Sequence, residues 1–112
     1  MKINVWFVLL CVSTSVFADS ACKGKIEYTG VGRGGAVLVK GPGELPATYL
    51  CSVESKMNNV EPNACRAVYS TLLAAKLADK EVSITFNPAI SSCASVKAWG
   101  WAENFNWIFQ EK

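Results

Sequence analysis

Residues 62–79 read PNACRAVYSTLLAAKLAD, and residues 81–86 read EVSITF. The first stretch has a helical period. Cys65, Val68, Leu72 and Ala75 recur at spacings of three and four and form one apolar stripe, flanked by Tyr69 and Leu73. Arg66, Ser70, Lys76 and Asp79 take much of the opposite side. Pro62 suits the first helical position, and Lys76 and Lys80 complement the helix dipole near the carboxyl end. At 1.5 Å per residue such a helix is about 27 Å long. The second stretch has a period of two: Val82, Ile84 and Phe86 alternate with polar residues, as in a half-buried strand, and Asn87-Pro88 ends it.

Upstream of the helix the sequence predicts three strands. Residues 25–29 place Ile26 and Tyr28 on one face and run into the glycine-rich turn 30–35. Residues 36–40 are apolar on both faces, as a buried barrel strand can be. Residues 41–46 form a Pro/Gly loop, and residues 47–53, holding Tyr49, Leu50 and Cys51, form the third strand. Residues 55–59 are polar and loop-like. Downstream, residues 89–101 are mixed and irregular. Residues 104–110 alternate again, with Phe105, Trp107 and Phe109 on one face, and read as a fifth strand whose aromatics join the core. The order is β-β-β-α-β-β, so the fold class is α+β, mostly β. An OB-like five-stranded barrel with its helix between strands three and four gives this order, and so does an open antiparallel sheet packed on one helix.

The chain has 112 residues, of which 51% are hydrophobic, but part of that fraction belongs to its start. Met1-Lys2 is followed by an apolar run over 3–12 broken only by Asn4, and Val16 and Ala18 stand at the −3 and −1 positions of a cleavage site before Asp19. This is the pattern of a secretory signal peptide over residues 1–18, and the apolar run is shorter than the ~20 residues that span a bilayer. Removing 18 of 112 residues leaves a single domain of 94, residues 19–112, in the periplasm or outside the cell. Cys11 leaves with the leader, so five cysteines become four: Cys22, Cys51, Cys65 and Cys93. An even count in a short exported chain reads as two disulfides, and no pair has the close spacing of a zinc knuckle. Four cysteines allow three pairings. Cys51 on the third strand and Cys65 on the first helical turn close a short local loop, which leaves Cys22 to bond Cys93.

Histidine is absent, which removes Ser-His-Asp and Cys-His catalysis and histidine metal ligation. A formal net charge of +2 gives no electrostatic case for nucleic acid. Gly30-x-Gly32-x-x-Gly35 matches the dinucleotide fingerprint in letters only, because a strand and not a helix follows it. The glutamates are scattered without a motif pairing two of them, and no serine lies in a G-x-S-x-G elbow. No catalytic residue, metal ligand or cofactor is therefore assigned. Trp99 and Trp101, flanking Gly100 outside the clear strands, are the candidate ligand contacts, together with Tyr28 and with Asn104 and Asn106, whose amides suit hydroxyl recognition. Flat indoles in a loop can stack on sugar rings or fill a partner's pocket. The expectation is a binding module for a glycan or a protein, with no membrane span after cleavage and with homo-oligomer formation left open. A protein-interaction role as an inhibitor, immunity or envelope assembly partner is the alternative, using a sheet edge or apolar patch.

Cys22-x-Gly24-x-Ile26, Leu50-Cys51-Ser52, Ala64-Cys65-Arg66-Ala67-x-Tyr69-x-x-Leu72-Leu73-x-Ala75, Val82-x-Ile84 and Ser92-Cys93-x-Ser95 before Trp99 together resemble a group of small exported proteins of Gram-negative bacteria. That group has no assigned activity, so the resemblance carries over no active site. A more distant likeness is to the B subunits of AB5 toxins, through the strand order, a cysteine on the third strand paired near the helix, and an alanine-rich helix followed by a Val-x-Ile strand. It implies an OB fold, of the kind that in those subunits forms pentamers and binds cell-surface glycans, but no glycan-contact motif transfers residue by residue.

Overall fold

The computed structural model of the protein describes residues 20–112; the leader expected over residues 1–18 lies outside them. Strands β1 (Ser20–Lys25), β2 (Tyr28–Val31), β3 (Ala36–Lys40) and β4 (Thr48–Ser52) precede helix α1 (Pro62–Leu77), and β5 (Glu81–Phe86) and β6 (Phe105–Gln110) follow it. They form two antiparallel three-stranded sheets, ordered β1-β5-β6 and β2-β3-β4. The α+β, mostly β class stands. The pairings close no barrel among the described residues, and there are six strands where the sequence predicts five.

The extra strand comes from the first one. The predicted strand over 25–29 straddles a change of sheet: β1 runs from Ser20 beside β5, and after Ile26 the chain joins β3, starting with the Glu27 amide donating to the Lys40 carbonyl at 2.8 Å. Ile26 sits at that bend and is buried, whereas Tyr28 is 38% exposed. The two do not share a face, because the alternation restarts when the strand changes partners.

The core lies between the sheets and beneath α1. Val37 and Val39, Leu50, Leu72 and Ala75, and Val82, Ile84 and Phe86 are all fully buried there. Cys65, Leu72 and Ala75 form the buried side of α1, with Val68 and Tyr69 packed at its margin, so the predicted stripe faces inward. Burying a side chain such as Phe86 contributes about 1.5–3 kcal/mol relative to leaving it exposed. The loop before β4 packs on β1 so closely that glycine is required. Gly43 has φ +59°, and a Cβ there would lie 2.9 Å from the Cys22 Cα.

Two one-residue insertions reset the inside–outside pattern. In β4, Leu38 pairs Tyr49 while Val37 pairs Cys51, so Leu50 is an extra residue. Tyr49 therefore points outward and Cys51 inward, although residues two apart on a regular strand share a face. Cys51 is thereby presented to the helix, where it bonds Cys65; Cys22, buried on β1, bonds Cys93. These are the two pairs that the spacing argument selects. In β6, Ile84 pairs Ile108 while Phe86 pairs Phe105, again one residue extra. Phe105 and Ile108 consequently both pack on the core, and Trp107 and Phe109 turn out. The expectation that Phe105, Trp107 and Phe109 share an inward face is corrected here: Trp107 is 59% exposed and Phe109 47%. The bulge breaks the period of two on which that expectation depends.

No helix among the described residues is long and apolar enough to cross a membrane.

Candidate functional site

The outer face of the β2-β3-β4 sheet is built by register. Val37 and Val39 point inward, so Leu38 and Lys40 point outward. Lys40 pairs Tyr28 on one side, and Leu38 pairs Tyr49 on the other. Beyond β4 the chain returns as residues 99–102 and makes a parallel bridge, Tyr49 to Trp101. Directly paired residues share a face, so Tyr28, Lys40, Leu38, Tyr49 and Trp101 lie on one surface, with Trp99 two residues from Trp101.

The aromatics cluster at one edge of this surface. The Tyr49 ring is 5.6 Å from Trp101 and 6.5 Å from Trp99, the latter edge-on. Trp101 is half-buried and Trp99 is 62% exposed. The backbone carrying them is fixed. The Trp99 amide donates to the Ala47 carbonyl (2.6 Å), Tyr49 to Gly100 (2.8 Å) and Ala102 to Tyr49 (2.8 Å). The Thr48 hydroxyl donates to the Gly100 carbonyl at 2.9 Å, and the Asn58 amide donates to both the Leu50 and the Ala102 carbonyls at 2.8 Å. Trp99 itself has φ +55°, a left-handed conformation that is an outlier for a bulky residue. A strained backbone that holds a largely exposed ring, packed only edge-on against Tyr49, is a local cost with little packing return, and such costs concentrate at functional positions.

Tyr28 lies on the same surface but not in the cluster. Three interstrand steps of ~4.8 Å separate its strand from residues 99–102, so it stands about 14 Å from the tryptophans. Lys40 sits over its ring at 5.6 Å and approaches Glu27 at 3.4 Å. Asn104 and Asn106 belong elsewhere. They line a depression of about 450 Å³ with Asn58, Asn59, Asn87 and Glu103, and neither tryptophan lines it. A third feature surrounds β6, an edge strand of its sheet. Trp107 and Phe109 stack at 5.8 Å with planes 8° apart. Beside them an apolar groove of about 280 Å³ runs between α1 and β6, lined by Val60, Ala64, Ala67, Val68 and Ile108 among others.

Chain comparisons add no further assignment. The chain matches no family model, no curated protein and no solved structure. Among the described residues no three of His, Cys, Asp and Glu converge to hold a metal ion. Sequence alone does not single out Tyr49, the ring against which both tryptophans pack. Its outward position depends on the β4 bulge, and its neighbours come from a segment more than 40 residues away that reads as irregular. Leu38 and Lys40 were also hidden, since an apolar run such as 36–39 does not declare which side faces solvent.

Proposed function

We propose that the chain is an exported, non-catalytic binding module that takes a glycan on the outer face of the β2-β3-β4 sheet. The observation that carries this is the Tyr49–Trp99–Trp101 cluster, an exposed Trp99 beside half-buried Tyr49 and Trp101 on a backbone locked to β4. Aromatic faces stack on the apolar face of a sugar ring, and a fixed backbone spares the ordering cost that a mobile loop would add. The surface from the cluster to Tyr28, about 14 Å wide, suits a short oligosaccharide better than one ring. Lys40 between them, beside Glu27 at 3.4 Å, offers N–H donors to a sugar hydroxyl or carboxylate oxygen.

The arrangement also favours an OB-like organisation. The chain passes unbroken from one sheet to the other at Ile26, and the segment that leads into β6 bridges β4 at Tyr49–Trp101. With β1 and β2 taken together as the first OB strand, β3 and β4 would be the second and third, whose face binds oligosaccharides and oligonucleotides in OB folds.

A glycan array probed with the oxidised protein tests the proposal. Binding to at least one oligosaccharide is expected, with Trp99→Ala and Trp101→Ala each weakening it about tenfold or more. A confirmed glycan whose affinity neither substitution changes would place the site elsewhere. The second reading, a protein-interaction factor, is favoured by one specific observation: stacked, exposed Trp107 and Phe109 on an edge strand beside an apolar groove. An array without hits, together with partner capture lost on Trp107→Ala and retained on Trp99→Ala, selects that reading.

A further inference from the structure

The depression between the 57–60 turn, the end of β5 and the start of β6 is lined by amides to an unusual degree. Asn58, Asn59, Asn87, Asn104 and Asn106 surround it, and Glu103 contributes its one formal charge. At about 450 Å³ it falls within the ~300–1,000 Å³ usual for small-molecule sites. Backbone needs explain part of this composition. Asn58, Asn59 and Asn104 have φ of 54°, 61° and 68°, the left-handed region that asparagine tolerates. They do not explain Asn87, which directly follows β5, or Asn106, which lies on β6. The Asn87 amide donates to the Asn104 carbonyl at 2.8 Å, which ties the two walls together.

The hydrogen-bonding capacity is largely uncommitted. Asn58 uses its side-chain N–H groups on the Leu50 and Ala102 carbonyls, leaving its Oδ1 free to accept. The side chains of Asn59, Asn87, Asn104 and Asn106 make no hydrogen bond to other described residues. Each offers two donors and an acceptor, so the site presents both polarities at closely spaced points. A ligand that satisfies it must itself alternate donors and acceptors over adjacent atoms, as the vicinal hydroxyls of a sugar do. A peptide backbone offers one donor and one acceptor per residue and matches less of it. The half-buried Phe105 ring supplies an apolar wall. No lysine or arginine lines the depression, and Glu103 opposes anions.

We infer that this depression is a subsite for an uncharged, hydroxyl-rich sugar residue, one that discriminates against acidic sugars. The inference rests on the glycan reading above and names the chemistry of the residue bound, at a place separate from the tryptophans.

Side-chain amide spectra of the ¹⁵N-labelled, oxidised protein test it. The probes are methyl galactoside, methyl mannoside and N-acetylglucosamine against glucuronate and N-acetylneuraminate. At least one neutral sugar is expected to shift the side-chain NH₂ signals of Asn87, Asn104 and Asn106. Acidic sugars should bind about tenfold more weakly. Glu103→Gln should shrink that ratio to below about threefold, and Asn106→Ala, on an exposed strand position, should abolish the shifts while the backbone spectrum is retained. The inference is overturned if no neutral sugar moves these signals, if glucuronate binds as well as they do, or if a capped neutral dipeptide moves them where the sugars fail. An oligosaccharide that moves the Trp99 and Trp101 indole signals but no asparagine side chain also overturns it, and leaves the aromatic-face proposal standing. Shifts at the asparagines without shifts at the indoles do the reverse.

Discussion

Replacing Cys22 and Cys93 together by alanine removes a cross-link between residues 71 apart in sequence. In the loop-entropy model, closing a loop of that length stabilises the fold by about 4.4 kcal/mol at 25 °C. The Cys22 sulfur is fully buried, and losing it adds about 1 kcal/mol of packing, whereas Cys93 is partly exposed and adds little. The total is about 5 kcal/mol, against the 5–15 kcal/mol of stability usual for a single domain. Replacing Cys51 and Cys65 removes a link of separation 14, worth about 3 kcal/mol, and two buried sulfurs, worth about 2 more. The two variants should thus lose similar free energy for different reasons. Urea unfolding followed by circular dichroism separates them through the slope. Opening the long loop lets the denatured chain expand more, so m should rise more for Cys22→Ala/Cys93→Ala than for Cys51→Ala/Cys65→Ala. A loss below about 2 kcal/mol for the long-loop variant, or a larger rise in m for the short-loop one, would refute the assignment of these bonds to denatured-state confinement.

Three other outcomes follow from local geometry. Trp99→Gly should be more stable than Trp99→Ala by about 1 kcal/mol in thermal or urea unfolding, because glycine relieves the positive φ; equal stability would remove the strain argument. Trp107→Ala should cost less than about 1 kcal/mol while Phe86→Ala costs about 3–5, and comparable losses would show that Trp107 is packed after all. Gly43→Ala adds a strained φ and a Cβ 2.9 Å from the Cys22 Cα, so a loss of about 2 kcal/mol or more and a melting temperature lower by roughly 8 °C or more are expected; an unchanged melting temperature would refute the close packing of this loop on β1.

Local periodicity carried much of the fold. The α1 stripe and the cysteine spacing are properties of short windows, and both survive in three dimensions; β5 forms as a strand, but it is not half-buried, because it is the central strand of its sheet and Ser83 and Thr85 are buried along with Val82, Ile84 and Phe86. What sequence alone missed depends on pairing. Whether Ile26 and Tyr28 share a face is settled by which strand lies beside each, and the orientation of Trp107 by one unpaired residue opposite Thr85. The candidate site divides in the same way. Trp99 and Trp101 stand out by composition, but Tyr49 joins them only through a bridge across half the chain. Asn104 and Asn106 were visible as amides beside aromatics. Asn58, Asn59 and Asn87 looked like ordinary turn residues until the turn at 57–60 and the end of β5 came together around one depression.

The bulge at Leu50 makes residue count in β4 a variable with two readouts. Tyr49 and Cys51 straddle it, one serving the aromatic face and the other the bond to α1. Deleting Leu50 would leave Tyr49 and Cys51 adjacent and still on opposite faces, but it would remove a fully buried side chain from the core, at a cost of about 2–5 kcal/mol. Substitution on the outer face is therefore cheap, while a change of length within β4 is not. A library for new ligands can therefore randomise Leu38, Lys40, Tyr49, Trp99 and Trp101 on this face provided that the number of residues between Tyr49 and Cys51 is held constant.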